Sequence, residues 1–101
     1  MTTVPLTLPS LDAFEALTLE AREALFIRWV KAQRADREYV FANVHNCPLA
    51  QFGSRIARRK AKGGGYEFHV GKREVLVLNP AKRDGLSQCR TFGALADSFS
   101  S

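Results

Sequence analysis

His45, His69, Cys47 and Cys89 are the side chains here with the chemistry for metal ligation or thiol catalysis. A zinc site draws its ligands in short paired spacings, and this set matches no zinc knuckle or finger; its two cysteines are 42 positions apart. A reactive thiolate needs a base or a positive field beside it. Nothing local supplies one to Cys47 or Cys89, since the basic run from Arg55 to Lys62 falls at the far end of the helix expected after Cys47. Gly63-Gly64-Gly65 follows a helical segment rather than opening one, and lacks the Gly-Lys-Ser/Thr ending of a phosphate loop. It reads as a helix stop and hinge. The expectation is a non-enzymatic protein with no catalytic residue, no metal and no cofactor.

Binding chemistry is better represented. The 101 residues carry Lys+Arg 15 against Asp+Glu 10, a net charge of +5. Residues 1–50 hold five basic and six acidic side chains, residues 51–101 ten and four, so the whole excess lies in the second half. Gln51, Arg55, Arg58 and Lys62 recur at helical spacing, opposite Leu49, Phe52 and Ile56. Such a row suits phosphate backbones, which are read first as charge. Lys72 and Arg73, at the tip of an expected hairpin, extend it. Arg55, Arg58, Arg59, Lys62, Lys72 and Arg73 are therefore the candidate nucleic-acid or partner-binding residues. The alternative for the same residues is a solvated face that only aids solubility.

Those side chains need elements to position them. Residues 1–9 read as an extended lead-in and residues 10–101 as a single α+β domain: N-terminal helices, a basic middle helix, a β-hairpin and a short C-terminal helix. Ser10 caps a short helix carrying Leu11, Phe14 and Leu17; Thr18 caps a second that keeps its period to about Arg34, with Trp29 as a core anchor. Residues 36–44 fit a strand or a short helix. Pro48 starts the basic helix at N1 or N2, with Asn46 or Cys47 as cap, and the pattern carries it to about Lys62. Gly71-Lys72 suits a type II′ turn, which sets Val70 against Arg73, His69 against Glu74, Phe68 against Val75 and Tyr66 against Val77. Residues 81–85 read as a solvated loop, and Thr91 opens a last helix with Phe92, Leu95, Ala96 and Phe99 on one side. The core should draw on Leu25, Phe26, Trp29, Val30, Phe52, Ile56, Phe68, Val75, Val77, Leu95 and Phe99.

Hydrophobic content of 46% with 25% charged residues is that of a globular chain, and excludes a disordered tail or a disulfide miniprotein. No signal peptide and no membrane-length apolar run is legible, so a cytoplasmic location is expected. A helix followed by a hairpin also fits a winged helix-turn-helix, provided residues 36–44 form the preceding helix. The segments Asn46-Cys47-Pro48-Leu49-Ala50-Gln51-Phe52 and Thr91-Phe92-Gly93-Ala94-Leu95-Ala96 resemble pieces of short, uncharacterised phage- and prophage-type proteins. That resemblance implies a mobile-element origin and transfers no site. Two functions follow for testing. In the first, the basic helix and hairpin tip engage nucleic acid. In the second, the protein is a phage or mobile-element inhibitor of the anti-CRISPR kind, or an adaptor, that binds a host protein or nucleoprotein complex. Neither involves a membrane, and a homodimer pairing hairpin edges is compatible with both.

Overall fold

Polar caps set the first two helices. The structure, a computed structural model, describes residues 7–41 and 43–99; residues 1–6 of the expected lead-in, and Ala42, lie outside them. Helix α1 (Leu11–Glu15) starts where Ser10 Oγ accepts the Ala13 amide, and α2 (Leu19–Ala32) where Thr18 Oγ1 accepts that of Ala21. Phe14 from α1 and Phe26, Trp29 and Val30 from α2 are buried, whereas Leu17 is exposed.

Among the described residues of 36–44 there is no helix, and the one regular feature is an isolated antiparallel bridge between Glu38 and Thr91. The winged helix-turn-helix order is therefore not present, because α2 is followed by a non-helical segment and then by α3 (Pro48–Ala57). Pro48 does open α3, with Cys47 as its cap residue.

The expected run of α3 to Lys62 is corrected. Its C-cap is Arg58, left-handed at φ 55, and Lys62 belongs to strand β1 (Lys62–Gly64). The cause is tertiary. Ser54 Oγ accepts the Ala61 amide at 3.0 Å while donating to Ala50 O, which pins the returning chain to the helix it has just left. Ala61 is buried there, and a Cβ at Gly63 would stand 2.5 Å from the Ala50 nitrogen. Two of the three glycines thus lie within a strand rather than merely ending a helix.

Strands β2 (Glu67–Val70) and β3 (Arg73–Leu76) complete a three-stranded antiparallel sheet in the order β1-β2-β3. The hairpin has the expected register, Val70 against Arg73 through Glu67 against Leu76, and Tyr66 O accepts the Val77 amide beyond it. At the turn Gly71 has φ 65 and Lys72 does not have positive φ, which excludes type I′. Phe68, Val70 and Val75 face α3, where Phe68 lies so close that a Cβ at Gly53 would meet its ring at 2.4 Å. Strand alternation turns Lys62, Glu67, His69 and Glu74 to the opposite, open face. At the outer edges, the Gly63 amide donates to Val44 O and Leu76 O accepts Arg22 Nη1 at 2.9 Å.

Residues 81–85 are not a loop. A 3-10 turn (Pro80–Lys82) leads into α4 (Arg83–Gln88), started by Asn79 Oδ1 accepting the Ala81 amide and held by burial of Leu86. Thr91 caps α5 (Phe92–Ser98) as its sequence suggests. The core is an aromatic cluster: Trp29 packs on Phe26, Phe52 and Phe92 with centroids 5.4–6.1 Å apart, and Phe14 on Phe52 and Phe68. Nine of the eleven expected core residues are buried; Leu25 and Phe99 are only partly so, and Phe14, Tyr39, Leu49, Leu78, Leu86 and Phe92 join them.

Candidate nucleic-acid interface

Helix α3 buries Leu49, Ala50, Phe52, Gly53 and Ile56, which leaves Arg55 to point outward from its last turn. Arg58, Arg59 and Lys60 are exposed in the reversal that follows, and Lys62 is exposed on β1. Between Glu38 and Glu67 the chain holds no carboxylate side chain. Among the described residues, none of Arg55, Arg58, Arg59, Lys60 and Lys62 makes an ion pair or a side-chain hydrogen bond. The negative end of the α3 dipole favours cations at this turn.

The helical stripe is corrected accordingly. Only Gln51 and Arg55 lie on the helix, and Gln51 is an internal clamp: its Nε2 donates to Asn46 O and its Oε1 accepts Arg37 Nη2, both at 2.6 Å. What gathers the cations is a turn. Lys60 is not among the residues expected from the sequence, and the turn sets it, exposed, beside Arg59.

The hairpin tip divides in two. Lys72 is exposed and unpaired among the described residues. Because Lys62 pairs with His69, one residue from Val70, the register sets the basic turn at the same end of the sheet as Lys72. Arg73, unlike Lys72, is ion-paired. Alternation points it to the α3 side, where Nη2 donates to Asp12 Oδ1 at 3.1 Å and Nε stands 2.9 Å from Glu15 Oε1. A guanidinium held between two carboxylates has little left to offer a phosphate.

His69 lies opposite Glu74 as expected, yet the carboxylate beside it is Glu67 on its own strand, with Nε2 3.7 Å from Oε1. These two, with Lys62, Val44, Gly64 and Gly71, line a hollow of about 450 Å³ on the open face, directly beside the basic turn.

The thiols are placed structurally. Burial pushes the Cys47 thiol up, away from the reactive thiolate, and Cys89 is a half-buried free cysteine. Tyr39 donates to Leu86 O at 2.8 Å, and burial raises its phenol far above the ordinary range. Among the described residues no three His, Cys, Asp or Glu side chains converge on a metal position, and no helix is long and apolar enough to cross a membrane. No protein family, no curated protein and no solved structure matches this chain.

Proposed function

We propose that the protein is a non-enzymatic nucleic-acid-binding module whose contact surface is the α3–β1 turn with the hairpin tip. The observation that carries this reading is the concentration of cations that are unpaired among the described residues: Arg55, Arg58, Arg59, Lys60 and Lys62 within eight residues, at the same sheet end as Lys72. Solubility asks only for net charge, spread anywhere. A local cluster without counter-charges has a stronger field, and a polyphosphate backbone releases its condensed counterions on meeting it.

Anchoring suits the role. Arg58 is held by the reversal and Lys62 by strand pairing, while Ala61 between them is buried, so the cations project from fixed backbone. Each phosphate neutralised on a single strand contributes about −0.7 to the slope of log K against log salt concentration.

Fluorescence anisotropy with a labelled oligonucleotide across a salt series tests the reading. The native protein should bind at low salt with a steep slope. Arg58→Ala/Arg59→Ala/Lys60→Ala should flatten that slope by about 2. Absence of binding at low salt, or an unchanged slope in the triple variant, refutes it. Capture of an acidic protein by the same turn, with no affinity for nucleic acid, would transfer the surface to the inhibitor or adaptor class.

A further inference from the structure

We infer that the hollow on the open sheet face receives a ribose, so that the protein selects RNA over DNA; the inference rests on the nucleic-acid reading above. Cross-strand pairing sets Gly64 directly opposite Glu67 and Lys62 directly opposite His69. Beside Glu67 there is consequently no side chain on β1, only backbone. A Cβ at Gly64 would meet nothing within 4 Å, and its φ is not positive. Neither packing nor backbone conformation asks for glycine at this position. A glycine that ends a strand next to a hollow leaves room there for another group to approach the backbone closely.

The chemistry of the wall says which group. Glu67 is a carboxylate with only 22% of its side chain exposed; Oε2 accepts the Tyr66 amide at 3.3 Å. Oε1 stands 3.7 Å from His69 Nε2, beyond hydrogen-bond length, so it keeps acceptor capacity toward the hollow. A phosphate entering here would be repelled by that charge. A hydroxyl donor would be held by it, and the ribose 2′-hydroxyl is the donor that a nucleic-acid strand presents next to its phosphates. Deoxyribose offers nothing in its place. Lys62 serves both sides of the arrangement, since it ends the basic turn and also lines the hollow. A phosphate on Lys62 brings its adjoining sugar to Glu67.

Among the described residues, the one ring on the open face is the His69 imidazole, which leans along its strand toward Glu67. The residues that alternation turns outward, Lys62, Gly64, Glu67, His69, Glu74 and Leu76, include no Phe, Tyr or Trp platform. A volume of about 450 Å³ accommodates one sugar, with its phosphate held at the rim by Lys62, and lies within the size range of small-ligand clefts.

The test measures affinity for single-stranded RNA, for the DNA of the same sequence and for the 2′-O-methyl RNA. The native protein should bind RNA about tenfold more tightly than either analogue, the effect of one hydrogen bond to a charged acceptor. Gly64→Val fills the hollow with a residue that strands favour, and Glu67→Ala removes the acceptor. Both should bring the RNA-to-DNA ratio close to one while DNA binding persists, with circular dichroism confirming the fold. Arg58→Ala/Arg59→Ala should weaken RNA and DNA alike and leave the ratio standing. Equal affinity of the native protein for RNA and DNA, or a ratio unchanged in Gly64→Val, overturns the ribose assignment while leaving the basic turn intact. Failure to bind either polymer overturns both.

Discussion

Gly63→Ala and Gly64→Ala differ by one position and should behave oppositely. At Gly63 the added Cβ would lie 2.5 Å from the Ala50 nitrogen and 3.0 Å from the Ala50 Cα and Leu49 carbonyl carbon. All three are backbone atoms of a helix and cannot rotate away. The shortest contact is nearly an ångström below ordinary van der Waals distance, so β1 has to lift off α3, which also strains the bond from the Gly63 amide to Val44 O. Overpacking of this kind costs about 1–3 kcal/mol, and a weakened backbone hydrogen bond adds about 1 kcal/mol. The reduced freedom of the unfolded chain returns roughly 0.4–1 kcal/mol. The net expectation is a loss of about 2 kcal/mol, or roughly 8–16 °C in Tm for a domain of this size. At Gly64 the same methyl meets open space, and only the unfolded-state gain remains, so Tm should hold or rise slightly. Thermal and urea unfolding followed by circular dichroism provide the comparison. Equal shifts in the two variants, or a Gly63→Ala protein as stable as the native one, would refute the close approach of β1 to α3.

Arg73→Ala removes the half-exposed pairs with Asp12 and Glu15; it should cost no more than about 1 kcal/mol in urea unfolding and leave oligonucleotide affinity unchanged, whereas loss of binding would place Arg73 on the contact surface. Tyr39, together with the buried Cys47 thiol, contributes to the alkaline limb of stability. Its folded phenol titrates above the unfolded one, so its contribution is complete below the ordinary tyrosine value of 10.0 and is lost as pH rises past it. Tyr39→Phe, which strands Leu86 O, should cost about 1–2 kcal/mol at neutral pH and should flatten the decline of Tm above pH 10; a decline as steep as the native one would refute the assignment.

Local chemistry wrote much of the architecture into the chain. Ser10, Thr18 and Thr91 cap helices because each is followed by an apolar period that pays for the helix, and Gly71-Lys72 carries its own turn geometry. The α+β arrangement follows from those signals. The end of α3 does not. Arg58 to Lys62 are helix-compatible residues, and what stops them is Ser54 taking the Ala61 amide and Ala50 meeting Gly63, contacts seven and thirteen positions apart that helical periodicity does not encode. The candidate site inherits that error: a helical row became a turn, with Lys60 gained. The pairing of Arg73 was not legible for a similar reason, because its carboxylate partner Asp12 lies 61 positions away. His69 and Glu67 were visible as alternating residues, but a cross-strand rule favours Glu74, and the side chains settle the matter by reaching along the strand. Leu86 escaped because Asn79-Pro80 reads as a stop, whereas Asn79 starts the next turn.

Arg22 has a consequence for assembly. One guanidinium bonds Glu15 O at the end of α1, Leu17 O just beyond it and Leu76 O on the outer edge of β3, with Phe14 beneath it at 5.7 Å. A strand arriving at that edge would compete for the Leu76 carbonyl. Taking it would also loosen the last turn of α1, and with it the carboxylates that hold Arg73. Self-association through β3 is therefore coupled to loosening of α1, which lies beside that edge. The interlock works as a latch against sheet growth, and a partner that leaves the fold undisturbed has to arrive over a face or at the basic end.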